Sequence, residues 1–151
     1  MNNVNSGLEN FDFREWPFYW LTRAGGVYFK TMEEGLRGLG LDLPRWRVLM
    51  SLYQENRLSV SELADHAIVK LSTMTKIVRR MELDGLVQCR PFADDRRVTE
   101  VIVTEAGLRA GEAAWALAHK TYDIAFRGIP SKQEASMVAV LRRITENIER
   151  E

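Results

Sequence analysis

The stretch LSTMTKIVRRMELDGL, residues 71–86, decides the fold class of this 151-residue chain. Its apolar side chains recur at the i, i+3, i+4, i+7 spacing of one helical stripe, which predicts a buried face made of Met74, Ile77, Val78 and Met81. Ser72 is the predicted N-cap, and Gly85 is expected to end the helix in the left-handed conformation. The opposite face can donate hydrogen bonds to phosphates or base edges through Ser72, Thr73, Thr75, Lys76, Arg79 and Arg80.

A shorter helix is predicted just before this one. Ser59 and Glu62 have the S-x-x-E spacing of a capping box, which indicates a helix over VSELADHA, residues 60–67. Its inward-facing side chains are expected to be Leu63, Ala64 and Ala67. A short helix, a turn and a second helix with a polar outer face form a helix-turn-helix unit, whose second helix enters the major groove of DNA. An ordinary solvated surface helix is the plainer alternative.

Beyond Gly85 the apolar period changes from helical to about two, in LVQCR and VTEVIVT, which predicts two antiparallel strands. Val87 and Cys89 share one face of the first strand. In the second strand the alternating residues are Thr99, Val101 and Val103. The sequence therefore predicts a small β-hairpin directly after the second helix of the helix-turn-helix unit.

The tip of this hairpin, Asp94-Asp95-Arg96-Arg97, places two guanidinium groups beside the predicted recognition helix. Arginine on a protruding arm suits the narrow minor groove, where the negative potential is concentrated. The aspartates are interpreted as partners that orient an arginine, with a polar turn as the simpler alternative. Which of Arg96 and Arg97 enters the groove stays open, because a turn shifted by one residue exchanges the side chain that points outward.

Two helices are predicted before the helix-turn-helix unit. The first begins near Trp16-Pro17, since proline is tolerated in a first helical turn. Its Gly25-Gly26 pair suggests the close approach of a partner helix or a ligand, or else a simple kink. The second begins at Pro44 and ends in the turn-forming residues NRLS. Helical spacing places its larger apolar side chains on one face: Trp46, Leu49, Met50 and Tyr53.

Two more helices are predicted after the hairpin. Thr104 starts a long one, and Ser131 and Glu134 repeat the capping-box spacing before the last. Apolar residues of the last helix recur at intervals of four, three and four, as in a seam between paired helices: Met137, Leu141, Ile144 and Ile148. The predicted fold class is therefore mainly α with a small β-hairpin wing, a winged helix-turn-helix flanked by N- and C-terminal helices.

Charge and composition narrow the range of functions. The chain has 21 basic and 21 acidic side chains, so its average charge does not indicate nucleic acid as a partner. The segment from Arg57 to Arg97, however, contains eight basic and six acidic side chains. The rest of the chain contains thirteen basic and fifteen acidic side chains. One cysteine and two distant histidines lack metal-site spacing, so neither a metal nor a cofactor is expected. The chain has neither a Gly-rich phosphate loop nor G-x-S-x-G, which argues against an enzyme.

The cytoplasm is the expected location of the protein. No apolar run approaches the roughly 20 residues that cross a bilayer. The first ten residues, MNNVNSGLEN, have neither the basic region nor the apolar segment of a secretion signal.

Three segments of the chain resemble the MarR family of winged-helix transcription regulators. They are RWRVLMSL in the second helix, LSVSELADHA in the third, and STMTKIVRRMELDGLVQCRPFADDRRVTEVIVTEAG from the recognition helix through the hairpin. The resemblance runs from about Leu43 to Gly107. Its most specific elements are G-L-V, D-R-R and V-x-x-T-E-x-G at their mutual spacing.

The resemblance implies a single domain over residues 1–151 that acts as a homodimer on a palindromic site in double-stranded DNA. Residues 44–103 would form the winged helix-turn-helix, while 1–43 and 104–151 would form the dimerisation helices. Carried over residue by residue, the family's recognition helix places Ser72, Thr73, Thr75, Lys76, Arg79 and Arg80 on the DNA, and its wing places Arg96 or Arg97 in the minor groove. The expected function is regulation of transcription, as a repressor.

Regulators that this chain resembles commonly release DNA when a small aromatic ligand binds between the dimer helices and the winged unit. FREWPFYWLTRAGGVYF is similar to a branch that senses aromatic acids or hydroxycinnamoyl thioesters. The aromatic side chains and two arginines that would bind such an effector are Phe18, Tyr19, Trp20, Arg23, Tyr28, Arg45, Trp46 and Tyr53. Aromatic residues at helical spacing are core residues more often than pocket residues, which is the competing interpretation.

Two other interpretations stay open at this point. A redox switch would depend on Cys89, but the reactive cysteine of the peroxide-sensing branch lies near the start of the first helix, so packing is the favoured role. A winged-helix domain that binds protein and not DNA is the functional alternative, since one fold serves both purposes.

Overall fold

The computed structural model describes residues 11–151, so the MNNVNSGLEN segment and its expected lack of a signal lie outside the described residues. The chain divides into two compact units, Met1–Leu117 and Ala118–Glu151. After a 3₁₀ turn at Phe13–Glu15, the elements in chain order are α1 (Pro17–Gly38), α2 (Leu43–Gln54), β1 (Arg57–Ser59), α3 (Val60–Ala67), α4 (Leu71–Leu83), β2 (Val87–Pro91), β3 (Thr99–Val103), α5 (Glu105–Ala125) and α6 (Ser131–Glu149). Between residues 11 and 151, no helix is long and apolar enough to cross a membrane.

The predicted fold class is confirmed, because helices dominate and the only sheet among residues 11–151 is small and antiparallel. The core of the first unit draws on α1 to α4 and on the sheet. Its most fully buried side chains are Met32, Leu36, Val48, Leu49, Leu52, Leu63, Met74, Met81, Val87 and Val101. Burial of these apolar side chains is the main stabilising term for the unit.

Helix α3 begins with the predicted capping box. The Glu62 amide donates to Ser59 Oγ at 3.1 Å, and the Ser59 amide donates to Glu62 Oε2 at 2.7 Å. These hydrogen bonds from Ser59 hold the pKa of the Glu62 carboxyl below its usual range. Leu63, Ala64 and Ala67 are buried, as the sequence predicts.

The residue that closes α3 is Ile68, in the left-handed conformation with φ 54° and ψ 49°. Its amide donates to the Asp65 carbonyl and the Val69 amide donates to the Ala64 carbonyl, at 3.1 and 3.0 Å. This pair of bonds is the Schellman arrangement, whose left-handed position is usually occupied by glycine. A β-branched residue there costs on the order of 1 kcal/mol or more, because its Cβ approaches the following carbonyl oxygen.

Helix α4 buries the stripe that the sequence predicts. Met74, Val78 and Met81 are buried, and Ile77 is half-buried. The predicted N-cap is wrong, since the cap is Lys70 and Ser72 already lies inside the first turn. The Lys70 carbonyl accepts from the amides of Thr73 and Met74, so the helix starts two residues earlier than predicted. Gly85 follows the helix with φ 74°, in the predicted left-handed conformation.

The sheet has three strands in the order β1-β3-β2, all antiparallel. The predicted hairpin of β2 and β3 is confirmed, with Cys89 opposite Val101 and Arg90 opposite Glu100. The prediction that NRLS forms only a turn is wrong, because Arg57–Ser59 forms β1 and pairs with β3. Three residues are too few to show a period of two, so only pairing with β3 defines this strand.

The end of α4 and the start of α5 meet at Thr104. Its hydroxyl donates to the Gly85 carbonyl at 2.7 Å and accepts from the Gly107 amide at 3.0 Å, while its own amide donates to the Leu86 carbonyl at 3.1 Å. Gly107 is packed so closely that an added Cβ would lie 2.1 Å from the Leu86 carbonyl oxygen. This junction supplies a physical reason for the G-L-V and V-x-x-T-E-x-G elements, whose residues contact one another.

The close approach predicted for Gly25-Gly26 is not found among residues 11–151. A Cβ on Gly25 would make only an ordinary contact with Phe29, and one on Gly26 would meet nothing within 4 Å. The close approach in α1 lies further along at Gly35, where a Cβ would be 2.5 Å from the Leu117 side chain. No residue from 11 to 151 therefore accounts for the glycine pair, and a partner helix or a ligand stays the predicted neighbour.

In the second unit, α6 begins differently from the prediction. Pro130 is the N-cap and no side chain caps the helix, so the Ser131–Glu134 capping box is wrong. The Glu134 carboxylate instead accepts from the Tyr122 hydroxyl at 2.5 Å, which raises the pKa of Tyr122. No described residue of α6 is buried within this chain. Its predicted seam is half-buried at Leu141 and Ile144 and exposed at Met137 and Ile148.

Gly107→Ala is expected to destabilise the protein by about 1–3 kcal/mol, because the new methyl group overlaps the Leu86 carbonyl and the Val103 side chain. The matched control is Gly111→Ala in the same helix, where the Cβ meets only Leu49 at 3.8 Å. The control should be neutral or stabilising by up to about 1 kcal/mol, since alanine favours the helix. Urea unfolding of both variants checks the difference, and equal stability would contradict the close packing at Gly107.

Candidate nucleic-acid interface

The outer face of α4 is accessible, as the sequence predicts. Five of its six predicted contact residues are exposed: Ser72, Thr73, Lys76, Arg79 and Arg80. Within residues 11–151, Lys76, Arg79 and Arg80 form no ion pair. Their charges are therefore available to phosphates or to base edges.

Thr75 differs from the other five residues of this face. It is half-buried, and its hydroxyl donates to the Leu71 carbonyl at 2.9 Å. The single hydroxyl proton is thus used inside the helix, which leaves only acceptor capacity for another partner. Sequence spacing places Thr75 on the correct face, but it does not show this bond.

The hairpin tip is a tight turn from Asp95 to Val98, closed by a bond from the Val98 amide to the Asp95 carbonyl at 3.0 Å. The Asp95 carboxylate accepts from the Arg97 amide at 3.0 Å and from Arg97 Nε at 3.1 Å. These bonds from Arg97 hold the pKa of the Asp95 carboxyl below its usual range. An aspartate thus orients an arginine, and that arginine is Arg97. Arg96 is exposed and forms no hydrogen bond or ion pair with any residue from 11 to 151.

Helix and hairpin share one groove of about 420 Å³. Thr75 and Arg79 from α4 and Arg97 from the tip all line it. The structure therefore brings three predicted contact residues together from two separate elements. The position of the groove between a recognition helix and a protruding hairpin is that of a winged helix-turn-helix.

Arg45 holds the far end of α4. Its Nη1 donates to Asp84 Oδ2 at 3.0 Å, and its Nε lies 3.2 Å from Asp42 Oδ2. Asp42 caps α2 and Asp84 caps α4, so one buried guanidinium joins the start of one helix to the end of the other. Hydrogen bonds between charged groups are stronger than neutral ones, so this link fixes the angle of α4 against α2.

Glu100 is a buried carboxylate that the sequence analysis missed. It is 3% exposed, and it accepts from Arg90 Nε at 2.7 Å and pairs with Arg57 at 3.7 Å. Successive side chains of a strand point to opposite faces of the sheet, so Glu100 and its neighbour Val101 lie on different faces. The ion pairs of Glu100 with Arg57 and Arg90 join all three strands of the sheet. In the sequence, the available signal was the opposite charges of Arg90 and Glu100, which occupy opposed positions of the hairpin.

Of the predicted effector residues, only Tyr53 lines a pocket described for residues 11–117. At the start of α1, aromatic rings pack edge to face, with Tyr19 and Trp20 centroids 5.1 Å apart and Trp16 and Phe18 centroids 5.9 Å apart. Phe18, Trp20, Arg23 and Tyr28 are exposed, and Tyr19 is half-buried. These residues form an aromatic surface on α1 and do not line the pockets described for this unit.

Two of the predicted effector residues require correction. Trp46 is 6% exposed and belongs to the core, so it has no free surface for a ligand. Arg45 is buried and its guanidinium is bound by two carboxylates, so it cannot also hold an aromatic acid. The helical spacing of α2 identified an apolar face correctly at Trp46 and Leu49, but Tyr53 lies outside the buried set.

Tyr53 lines a separate pocket of about 230 Å³ between α2 and α5. Its other lining residues are Met50, Gln54, Gly111, Glu112 and Trp115. The walls are mainly apolar and aromatic, with a few polar groups, which is the usual character of a small-molecule site. The α5 side of this pocket was not predicted, because its residues lie far from Tyr53 in the sequence, with Gly111 as the nearest of them.

Comparisons with known proteins agree with this geometry. The MarR family description matches residues 41–99. The HTH-type transcriptional repressor IacR of Pseudomonas putida is 41% identical over 141 residues, which cover 93% of this chain and 84% of IacR. This chain belongs to the MarR family. It is accordingly a DNA-binding transcription regulator, and its relatives are regulators and not enzymes.

Solved MarR-family structures show the same fold. A MarR-family regulator from Silicibacter pomeroyi superposes with a TM-score of 0.84 at 25% identity, covering 93% of this chain and 95% of that one. CouR from Rhodococcus jostii RHA1, solved with p-coumaroyl-CoA, superposes with a TM-score of 0.81 at 24% identity, covering 87% and 92%. The winged helix-turn-helix architecture predicted from the sequence is therefore confirmed.

Cys89 is half-buried in β2, in an environment that disfavours the thiolate form. Burial raises the pKa of its thiol to about 11, and the nearby Glu82 carboxylate contributes to the same shift. Glu82 Oε1 also accepts from the Cys89 amide at 2.9 Å. Since the thiolate is the reactive form, a raised pKa makes this cysteine slow to oxidise or alkylate at neutral pH.

Arg79→Ala should weaken DNA binding by roughly 1–3 kcal/mol and leave folding intact, because its exposed side chain supports nothing inside the chain. Met81→Ala should instead destabilise the protein by roughly 2–5 kcal/mol, since Met81 is fully buried. Fluorescence anisotropy with duplex DNA and thermal unfolding separate the two effects. Similar behaviour of the two variants would show that the phase of α4 is wrong.

Alkylation of Cys89 by iodoacetamide should be slow at pH 8 and should accelerate up to about pH 11, following its raised pKa. Glu82→Gln keeps an acceptor for the Cys89 amide but removes the negative charge, so it should lower the pKa and speed the reaction at pH 8. Mass spectrometry at several pH values gives the rate profile. A wild-type midpoint near the usual thiol value of about 8.5 would contradict the buried environment.

Proposed function

We propose that this MarR-family protein is a homodimeric repressor that binds a palindromic DNA operator and is released by a small aromatic ligand. The observation that carries the proposal is the groove shared by α4 and the wing. Arg79 of α4 and Arg97, whose direction is set by Asp95, line this same groove. Cations that have no acidic partner among residues 11–151, grouped on a recognition helix, indicate an anionic partner.

In this proposal α4 lies in the major groove and the wing tip lies in the minor groove. Ser72, Thr73, Lys76, Arg79 and Arg80 contact phosphates or base edges, with Thr75 able only to accept. Arg97 is the proposed minor-groove residue, because Asp95 holds it in one direction, and Arg96 would contact the adjacent phosphates. No side chain caps the start of α4, so its first amides also suit a phosphate.

The homodimer is supported by apolar surface that the single chain leaves uncovered. In the last helix the seam residues Met137 and Ile148 are exposed, together with Val138 and Val140. In α1 the exposed apolar side chains include Trp20, Leu21, Val27 and Phe29. Exposed apolar side chains in such numbers are typical of helices that pack against another chain. Two copies of α4 would then read two half-sites, and the segments 1–43 and 104–151 keep their proposed dimerisation role.

The effector is proposed to bind in the pocket between α2 and α5 that Tyr53 lines. Aromatic walls at Tyr53 and Trp115 suit a flat ring. Helix α2 is joined to the end of α4 by the pair of Arg45 and Asp84. A ligand that displaced α2 would therefore move the end of the recognition helix, and the two copies of α4 would lose their match to the operator. The exposed aromatic residues Phe18, Trp20 and Tyr28 stay candidates for the same ligand.

The alternative function is a winged-helix module that binds a protein. Under that alternative the cations of α4 would face an acidic protein surface, and duplex DNA would not be preferred over other polyanions. A regulator acts on chromosomal DNA, so the cytoplasmic location expected from the sequence goes with the first proposal.

The protein should be retained on duplex DNA at low salt, and its affinity should fall by at least tenfold between about 50 and 200 mM salt, because bound counterions are released from the phosphates. Lys76→Ala with Arg80→Ala should reduce the slope of affinity against salt. Anisotropy titrations measure both, and analytical ultracentrifugation of the complex should give two protomers per duplex. Retention on heparin and duplex DNA to the same extent, with no enrichment of any sequence from a random duplex pool, would favour the protein-binding alternative.

An aromatic acid or its thioester that binds only the folded state should raise the melting temperature. At a ligand concentration one hundred times Kd, the free energy of unfolding should increase by roughly 2.7 kcal/mol. Tyr53→Ala should reduce this shift, whereas Tyr28→Ala on the exposed face of α1 should preserve it. A thermal-shift screen of both variants and the wild type distinguishes the two candidate locations. A shift lost in Tyr28→Ala but kept in Tyr53→Ala would place the ligand on α1.

A further inference from the structure

Ile68 combines two features that are each unfavourable for the folded chain. It adopts the left-handed conformation, with φ 54°, and it is the only non-glycine residue from 11 to 151 that has a positive φ. Its apolar side chain is also 91% exposed, more than that of any other large apolar residue in the described part of the chain. A β-branched residue at positive φ is uncommon, and glycine is the usual occupant of this position in a helix-ending turn.

The fold itself does not require an isoleucine here. The two hydrogen bonds that close α3 involve only backbone atoms, the amides of Ile68 and Val69 and the carbonyls of Asp65 and Ala64. Glycine would make the same bonds without strain. Since the Ile68 side chain is almost entirely exposed, it contributes almost nothing to the core. Because no contact within the described chain offsets this backbone strain, the side chain of Ile68 is expected to contact another molecule.

The position of Ile68 indicates which partner lies outside. It occupies the turn between α3 and α4, three residues before Leu71, so its Cα is at most about 11 Å from the start of the recognition helix. The N-terminal half of a recognition helix leads into the major groove, which places the preceding turn at the edge of that groove. The exposed residues that follow are mostly polar or charged, Lys70, Ser72 and Thr73, with one apolar residue among them, Leu71, which is 54% exposed.

We propose that the Ile68 side chain makes an apolar contact with DNA at the edge of the major groove, against a thymine methyl group or the carbon face of a deoxyribose. Thymine methyl groups are the apolar feature of the major-groove base edges. The contact adds to the affinity, and in the thymine case to the base preference, of α4. This inference rests on the proposed reading of DNA by α4.

The test uses the full-length protein and a duplex enriched by the wild type from a randomised pool. Ile68→Gly removes the side chain and the strain, while Ile68→Ala removes most of the side chain and keeps the strained Cβ. Both should bind the duplex roughly tenfold more weakly, from the apolar area no longer buried. Only Ile68→Gly should melt higher, by about 2–4 °C. Leu83→Ala, at the other end of α4 and 89% exposed, is the control and should bind like the wild type.

Replacing the thymines of each half-site with deoxyuridine identifies the atom group. If a methyl group is the partner, the substitution weakens the wild type several-fold and leaves Ile68→Gly unchanged. If a deoxyribose is the partner, the wild type keeps its advantage over both Ile68 variants on the substituted duplex. The inference would be overturned if Ile68→Gly bound DNA as tightly as the wild type. It would also be overturned if the substitution changed the dissociation constant of the dimer and left the DNA affinity unchanged. Failure of the wild type to enrich any duplex would overturn the proposed DNA reading as well.

Discussion

The proposed function depends on one property of helix α4: its apolar side chains lie on one face and its basic side chains lie on the opposite face. Met74, Val78 and Met81 are buried, so rotation of the helix about its axis would expose apolar surface and bury charge. The same burial keeps Lys76, Arg79 and Arg80 on the outside. The hydrophobic effect thus fixes the direction of the basic side chains, although it acts only on the opposite face.

Two polar contacts then fix the end of this helix. Arg45 binds Asp84 at the C-terminal cap, and the Thr104 hydroxyl binds the Gly85 carbonyl just beyond it. The first contact comes from α2 and the second from the start of α5. Because the aromatic pocket also lies between α2 and α5, the elements that would sense a ligand are those that hold α4. In the proposed mechanism, a signal from the pocket would therefore reach α4 through the Arg45–Asp84 and Thr104–Gly85 hydrogen bonds.

Strain and uncapped groups occur where the protein is proposed to meet DNA. The turn before α4 carries Ile68 in a left-handed conformation, and the start of α4 has no side-chain cap. By contrast α3, one element earlier, has a complete capping box. The strained residue thus ends a helix whose start is fully capped, and it lies in the turn that leads into the helix proposed to enter the groove.

The sequence by itself determined the elements whose signals are local. The buried stripe of α4, the capping box of α3 and the left-handed Gly85 each depend on residues within one or two turns, and the structure has all three. The change to a period of about two also predicted the wing, while resemblance to the MarR family added the expectation of a homodimer on a palindromic site. Local spacing failed at Ser72 and Ser131, because whether a serine caps a helix depends on where the first turn starts.

Only the tertiary structure decided which distant residues meet. Strand β1 exists through pairing with β3, the Arg45 guanidinium is bound to an aspartate 39 positions away, and the glycines packed closely within the chain are Gly35 and Gly107. The pocket proposed for the effector likewise joins Tyr53 to α5. The physical reason is common to all of these: packing and ion pairing act between surfaces brought together by folding, and sequence periodicity reports only which face of each element is apolar.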